Sequence, residues 1–134
     1  MTVLVVDASA LVAVLSDNST VGQAAAGLLA GHDLSAPELL PFEVGNVLRR
    51  LERTGRLSSE TAALAHSDLL DLPVQLWPYA ALSPGPWRLR GSLTIYDAAY
   101  VALAAQLDAP LVTLDQRFGR AASSSCQVVV PDIG

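Results

Sequence analysis

Four acidic residues, Asp7, Glu43, Asp97 and Asp115, stand where apolar runs give way to helical patterns, and carboxylates are the donors of oxygen-only metal chemistry. Asp7 follows the run Val3-Leu4-Val5-Val6, and Asp115 comes two residues past Thr113, the end of Pro110-Leu-Val-Thr113. Glu43 and Asp97 each fall in the first turn of a helical pattern. Carboxylates gathered within a few ångströms repel one another, and without a partner one or more takes up a proton. A hard divalent cation removes that conflict, and Asp and Glu oxygens select Mg²⁺ or Mn²⁺ over zinc. On a phosphodiester such an ion activates a water and neutralises charge on the phosphate oxygens. If the four residues converge, deleting one carboxylate relieves repulsion and raises the stability of the metal-free protein. Each position also has a plainer use: Asp7 and Asp115 as N-caps, Glu43 as a first-turn acid favoured by the helix dipole, and Thr94-x-x-Asp97 as a capping box.

The elements that must position these residues alternate. Short apolar strands are expected at 1–6, 33–36, 73–77, 110–113 and 127–130. Helical patterns cover 10–15, 21–29, a longer stretch opened by Pro37 and Pro41 and closed by Gly55, 58–72 behind the cap Ser58, a helix broken around Pro84 within 79–90, 95–107, and a short turn to about 121. In the helix carrying Glu43, the residues Val44, Val47, Leu48 and Leu51 form a core stripe, with Glu43, Asn46 and Arg50 on the neighbouring one. The run Ala98-Ala-Tyr-Val-Ala-Leu-Ala-Ala105 after Asp97 is apolar on nearly every side, which predicts a central helix with an acid at its mouth. Strands alternating with helices, with no hairpin signal, predict an α/β fold: one parallel sheet covered on both faces. Right-handed crossovers then gather the strand carboxyl ends and the following helix amino ends along one edge, where ligands bind.

Composition sharpens this. The chain has 134 residues, 51% of them apolar and 16% charged, which suits a single domain over 1–134. All 8 basic residues are arginines; the absence of lysine excludes P-loop NTPases, Schiff-base enzymes and phospho-receivers. Of the 13 acidic residues, four belong to the candidate site, leaving nine against eight basic, so most of the net charge of −5 is the site itself. An acidic chain lacks the field that carries non-specific nucleic-acid binding, and a bound cation would supply the missing positive charge. The longest apolar stretch, 98–105, falls far short of the roughly 20 residues of a membrane-spanning helix, so no membrane association is expected. The first basic residue is Arg49 and Asp7 cuts the opening apolar run, against a secretory signal. A single cysteine, Cys126, fits a reducing, cytoplasmic setting and reads as a buried neighbour of the last strand. His32 and His66 lack metal-ligand spacing, and neither Ser9 nor Ser35 sits in a Gly-x-Ser-x-Gly elbow.

The segments Val5-Val-Asp7-Ala-Ser9-Ala-Leu11, Pro37-Glu-Leu-Leu-Pro-Phe-Glu43-Val-Gly-Asn46-Val-Leu48, Leu93-Thr-Ile-Tyr-Asp97-Ala-Ala-Tyr100-Val-Ala-Leu-Ala104 and Pro110-Leu-Val-Thr113-Leu-Asp115-Gln-Arg-Phe118 together resemble PIN-domain ribonucleases, most nearly the VapC-type toxins of type II toxin–antitoxin pairs. The resemblance spans nearly the whole chain in order. It implies a sheet of order 3-2-1-4-5, a metal cluster of Asp7, Glu43, Asp97 and Asp115, and Ser9, Asn46 and Thr113 as polar neighbours that orient carboxylates or metal waters. It also implies Mg²⁺- or Mn²⁺-dependent endonucleolytic cleavage of RNA, homodimers, and a small cognate antitoxin.

RNA phosphates need cations. Arg117, two residues past Asp115, is the best single candidate; Arg49, Arg50, Arg53 and Arg56 suit either RNA contact or a solvated helix face. Trp87, beside Arg88 and Arg90, suits either base stacking or packing. Apolar helix faces in 21–30 and 57–72 are expected to stay uncovered until a second subunit or an antitoxin helix meets them. Two other readings remain open at this level: a catalytically silent PIN-like binding or assembly module, and a hydrolase of small phosphate esters, which lacks an Asp-x-Asp nucleophile pair.

Overall fold

The computed structural model describes residues 2–131. Met1, assigned above to the first strand, lies outside them. Five parallel strands, β1 (Val3–Val6), β2 (Asp33–Pro37), β3 (Val74–Trp77), β4 (Leu111–Val112) and β5 (Val128–Val129), form one sheet in the order β3-β2-β1-β4-β5. The α/β fold and the strand order are those expected. β4 and β5 are shorter than their apolar runs because only two residues of each pair as a ladder. Hydrogen bonds nonetheless run on past β4, Val5 N–H to the Pro110 carbonyl at 2.9 Å and Thr113 N–H to the Val129 carbonyl at 3.1 Å.

The eight helices of the described residues are α1 (Ala8–Ser16), α2 (Thr20–Leu29), α3 (Leu40–Arg53), α4 (Ser59–Asp71), α5 (Tyr79–Leu82), α6 (Gly85–Arg88), α7 (Ile95–Leu107) and α8 (Gln116–Ala122). The break expected near Pro84 yields two single turns, α5 and α6. Gly31 and Gly55 adopt φ of +78° and +76°, the left-handed conformation that lets the chain leave α2 and α3. In α3 the fully buried stripe is Leu40, Val44 and Leu48; Val47 and Leu51 pack at its margin. α7 is the central helix: Ala98 through Ala104 are all buried, against β1, β2 and β4. α1 and α2 meet closely at Gly22, where an added Cβ would lie 1.6 Å from the Asp17 carbonyl oxygen. No helix of the described residues is long and apolar enough to cross a membrane.

Candidate active site

β1 and β4 are neighbours, so Asp7 and Asp115 both emerge from the centre of the sheet at its carboxyl edge. Asp7 caps α1: its Oδ1 accepts the Ala10 N–H at 3.1 Å and the Ser9 hydroxyl at 2.7 Å. Its Oδ2 accepts the Thr113 hydroxyl at 2.5 Å, a bond from the end of the neighbouring strand. Thr113 is fully buried; its oxygen in turn accepts the Asp115 N–H at 3.0 Å, while Ser9 Oγ accepts the Leu114 N–H at 2.9 Å. Ser9 and Thr113 thus both donate to the Asp7 carboxylate. Asn46 does not: it is exposed on α3, and the bonds around Asp7 do not include it.

Asp115 caps α8 by accepting the Phe118 N–H at 3.0 Å, and its side chain is exposed. At α7 the capping box is half made. The Thr94 hydroxyl accepts the Asp97 N–H at 3.1 Å, whereas no bond from the Thr94 N–H to the Asp97 carboxylate forms among the described residues. That leaves the half-buried Asp97 carboxylate facing the other acids. Glu43, half-buried in the first turn of α3, accepts the Tyr100 hydroxyl at 2.6 Å. Tyr100 is the functional neighbour that sequence reasoning missed. Its place one turn beyond Asp97 was a signal, since a buried tyrosine hydroxyl needs a partner, but periodicity alone assigns it to the core.

The electrostatics link all four positions. Burial raises the Asp7 carboxyl above its ordinary range against the pull of its hydrogen bonds, and the Asp115 charge adds to the rise. Burial also raises Glu43; Asp97 and Asp7 push it further, and the Tyr100 hydrogen bond opposes them. Asp97 is raised by burial and then by Asp115, with the Thr94 hydroxyl opposing. The repulsions form a closed ring, Asp7 to Asp115 to Asp97 to Glu43 and back. Burial and the Glu43 carboxylate hold Tyr100 protonated. The ring is open rather than a finished cage: among the described residues no group of three or more His, Cys, Asp or Glu side chains is tight enough to hold an ion. An all-oxygen donor set of mutually repelling carboxylates suits a hard divalent cation that keeps some of its water.

Around this ring, Arg117 is exposed in the first turn of α8, two residues past Asp115. Arg49, Arg50 and Arg53 are exposed on α3, but Arg56 lies beyond its end, in the turn set by Gly55. Trp87 is 57% exposed, which removes the packing reading; the Arg90 guanidinium lies 4.3 Å from its ring centroid. Cys126 is half-buried just before β5, and His66 is exposed. Leu64 and Leu70 of α4 are uncovered, as expected for 57–72, whereas in 21–30 no large apolar side chain is exposed, since Leu28 and Leu29 pack into the core.

A doubly wound parallel sheet with four acids at the carboxyl ends of its central strands and the first turns beside them defines an α/β protein with an acidic site at its topological switch point. The PIN domain family model matches residues 4–123, and the chain belongs to that family. Ribonuclease VapC1 of Mycobacterium tuberculosis is 39% identical over 125 residues, 92% of this chain and 94% of that protein. VapC ribonuclease Mb0985 of Mycobacterium bovis is 37% identical over 127 residues, 95% and 97% of the two. The crystal structure of VapBC2 from Rickettsia felis bound to a DNA fragment from its promoter shares the fold, with a TM-score of 0.69 at 13% identity, over 98% of this chain and 100% of that one.

Proposed function

We propose that the protein is a metal-dependent endoribonuclease, the toxin of a type II toxin–antitoxin pair. The observation that carries the reading is the ring of mutually repelling carboxylates at the sheet's carboxyl edge, in a chain whose curated relatives are ribonucleases. Asp7, Glu43, Asp97 and Asp115 would hold Mg²⁺ or Mn²⁺. When bound, the ion supplies a water of lowered pKa and neutralises charge on the phosphate oxygens. Ser9 and Thr113 keep Asp7 in one rotamer, so its oxygens meet the substrate edge without reorganisation. Tyr100 does the same for Glu43 and, held protonated, remains a donor. The exposed Arg117 guanidinium would take an RNA phosphate flanking the cleaved bond. The uncovered apolar face of α4 suits an antitoxin helix or a second subunit of a homodimer.

Cleavage of a single-stranded RNA, followed with Mg²⁺, with Mn²⁺ and with chelator, tests the reading. Activity is expected only with metal and should fall at least about a hundredfold in Asp7→Asn. Equal rates in wild type and mutant would overturn it in favour of a silent module, and turnover of nitrophenyl phosphate in place of RNA would favour a small-ester hydrolase.

A further inference from the structure

A hollow of about 210 Å³ opens at the sheet's carboxyl edge, between the ends of β2 and β3 and the first turns of α5 and α7. Its walls are Pro37, Leu39, Trp77, Tyr79 and Tyr96, with the exposed Glu38 at the mouth. The residues that line it are chain neighbours of the site: Tyr96 precedes Asp97, and Leu39 lies one helical turn before Glu43, whose N–H donates to the Leu39 carbonyl at 3.2 Å. One turn is about 5.4 Å, of the order of the reach from a backbone phosphate through its ribose to the base. The Glu38 N–H donates to the Trp77 carbonyl at 2.9 Å, which fixes the mouth to the wall.

The chemistry of this hollow is that of a flat, neutral, aromatic ligand. Tyr79 and Tyr96 keep 50% and 63% of their surface exposed, so their rings are available for stacking. Among the described residues no cation lines the hollow, and a carboxylate at its mouth repels phosphate while accepting N–H groups. The volume is below the roughly 300 Å³ at which pockets for drug-sized ligands begin, which suits a single ring system.

We infer that this hollow receives one unpaired nucleobase of the RNA, stacked on Tyr96 and Tyr79, and that Glu38 selects bases bearing an exocyclic amino group. The inference rests on the ribonuclease reading for the identity of the ligand, and it makes Glu38 a specificity determinant at a fixed position beside the cut.

The intact protein is given a randomised single-stranded RNA library with Mg²⁺, and the new ends are sequenced. Wild type should prefer an amino-bearing base at one flanking position. Glu38→Gln should weaken that preference at least about fivefold while still cutting RNA. Tyr96→Ala and Tyr79→Ala should each raise KM about tenfold whatever the sequence, with kcat within about twofold of wild type. A flat wild-type profile, or a Glu38→Gln profile that superimposes on it, overturns the inference. Quenching of tryptophan fluorescence by trinucleotides in chelator, where the metal-dependent cut does not run, needs no turnover. Glu38-dependent discrimination there in a chain that never cuts RNA would support the base pocket while sinking the nuclease reading. If sedimentation shows Tyr96→Ala turning a dimer into a monomer, the hollow is an interface between copies and the inference fails.

Discussion

Removing the carboxylate of Asp7 or of Asp97 should move the stability of the metal-free protein in opposite directions, although repulsion alone predicts a gain for both. Asp97 accepts no backbone N–H of α7, since Thr94 provides that cap, and its carboxyl is raised by burial and by Asp115. Asp97→Ala therefore relieves cost without removing a bond and should raise the melting temperature. Asp7 differs because it receives three donors, the Ala10 N–H and the Ser9 and Thr113 hydroxyls. Asp7→Ala loses an N-cap, about 1 kcal/mol. It also strands buried donors at about 1–3 kcal/mol each, reduced because the Ser9 and Thr113 oxygens, 3.3 Å apart, can bond each other. Relief of the buried charge offsets part of this, leaving a net loss of about 1–3 kcal/mol, or roughly 3–5 °C per kcal/mol for a domain of this size. Asp7→Asn keeps the Oδ1 acceptor and sheds the charge but turns an amide N–H toward the Thr113 hydroxyl that donated to Oδ2, so it should fall between Asp7→Ala and wild type. Thermal unfolding followed by circular dichroism in chelator at pH 7 reads all three. An Asp7→Ala protein at least as stable as wild type, or an Asp97→Ala protein less stable, would refute this partition between capping and repulsion.

Three further outcomes follow from the same geometry. Asp7, Glu43 and Asp97 all have carboxyls raised on folding, so between the ordinary carboxylate range and the raised values the native state binds more protons than the unfolded one. Their contribution to stability is thus lost as pH rises through that window. In chelator the melting temperature should rise as the pH falls from neutral toward the ordinary carboxylate range; with Mg²⁺ that rise should shrink or vanish, and an unchanged pH dependence would count against a shared ion. Asp17, lowered by its bonds with Ser19, works in the opposite sense, and Asp17→Asn serves as the control. Tyr100→Phe removes the 2.6 Å bond to Glu43, so the acidic limb of the activity profile should move to higher pH with activity at neutral pH reduced several-fold; a parallel loss at every pH would point to packing alone. Gly22→Ala forces a Cβ into the Asp17 carbonyl and should destabilise by about 1–3 kcal/mol in a urea titration, whereas an unchanged midpoint would show that α1 and α2 separate freely.

What was legible in the sequence was what hydrophobic patterning and element ends encode. The apolar run of β1, the all-round apolar α7 and the alternation of strands with helices suffice to place Asp7, Asp97 and Asp115 at the carboxyl edge. What was not legible depends on tertiary pairing. The Tyr100 hydroxyl reaches Glu43 across 57 residues, and no local pattern separates it from the core tyrosine its helix predicts. Asn46 shares a stripe with Glu43, yet helical spacing says nothing of the distance to Asp7, and the structure leaves it in solvent. Arg56 reads as helical on charge spacing, but the left-handed Gly55 turns the chain first.

The plain and the chemical readings of the acids turn out to be one arrangement. Asp7 and Asp115 cap α1 and α8, while Glu43 and Asp97 stand in the first turns of α3 and α7, so each carboxylate lies at the positive end of a helix. A parallel α/β sheet directs those ends to a single edge, and the unbonded N–H groups there need acceptors whether or not an ion is present. That explains how a chain without lysine tolerates four neighbouring acids: the helix ends supply partial positive charge, and burial with mutual repulsion supplies the remaining appetite for a cation. A site built this way needs no metal in order to fold and would still gain from one, because the caps satisfy the backbone without neutralising the ring.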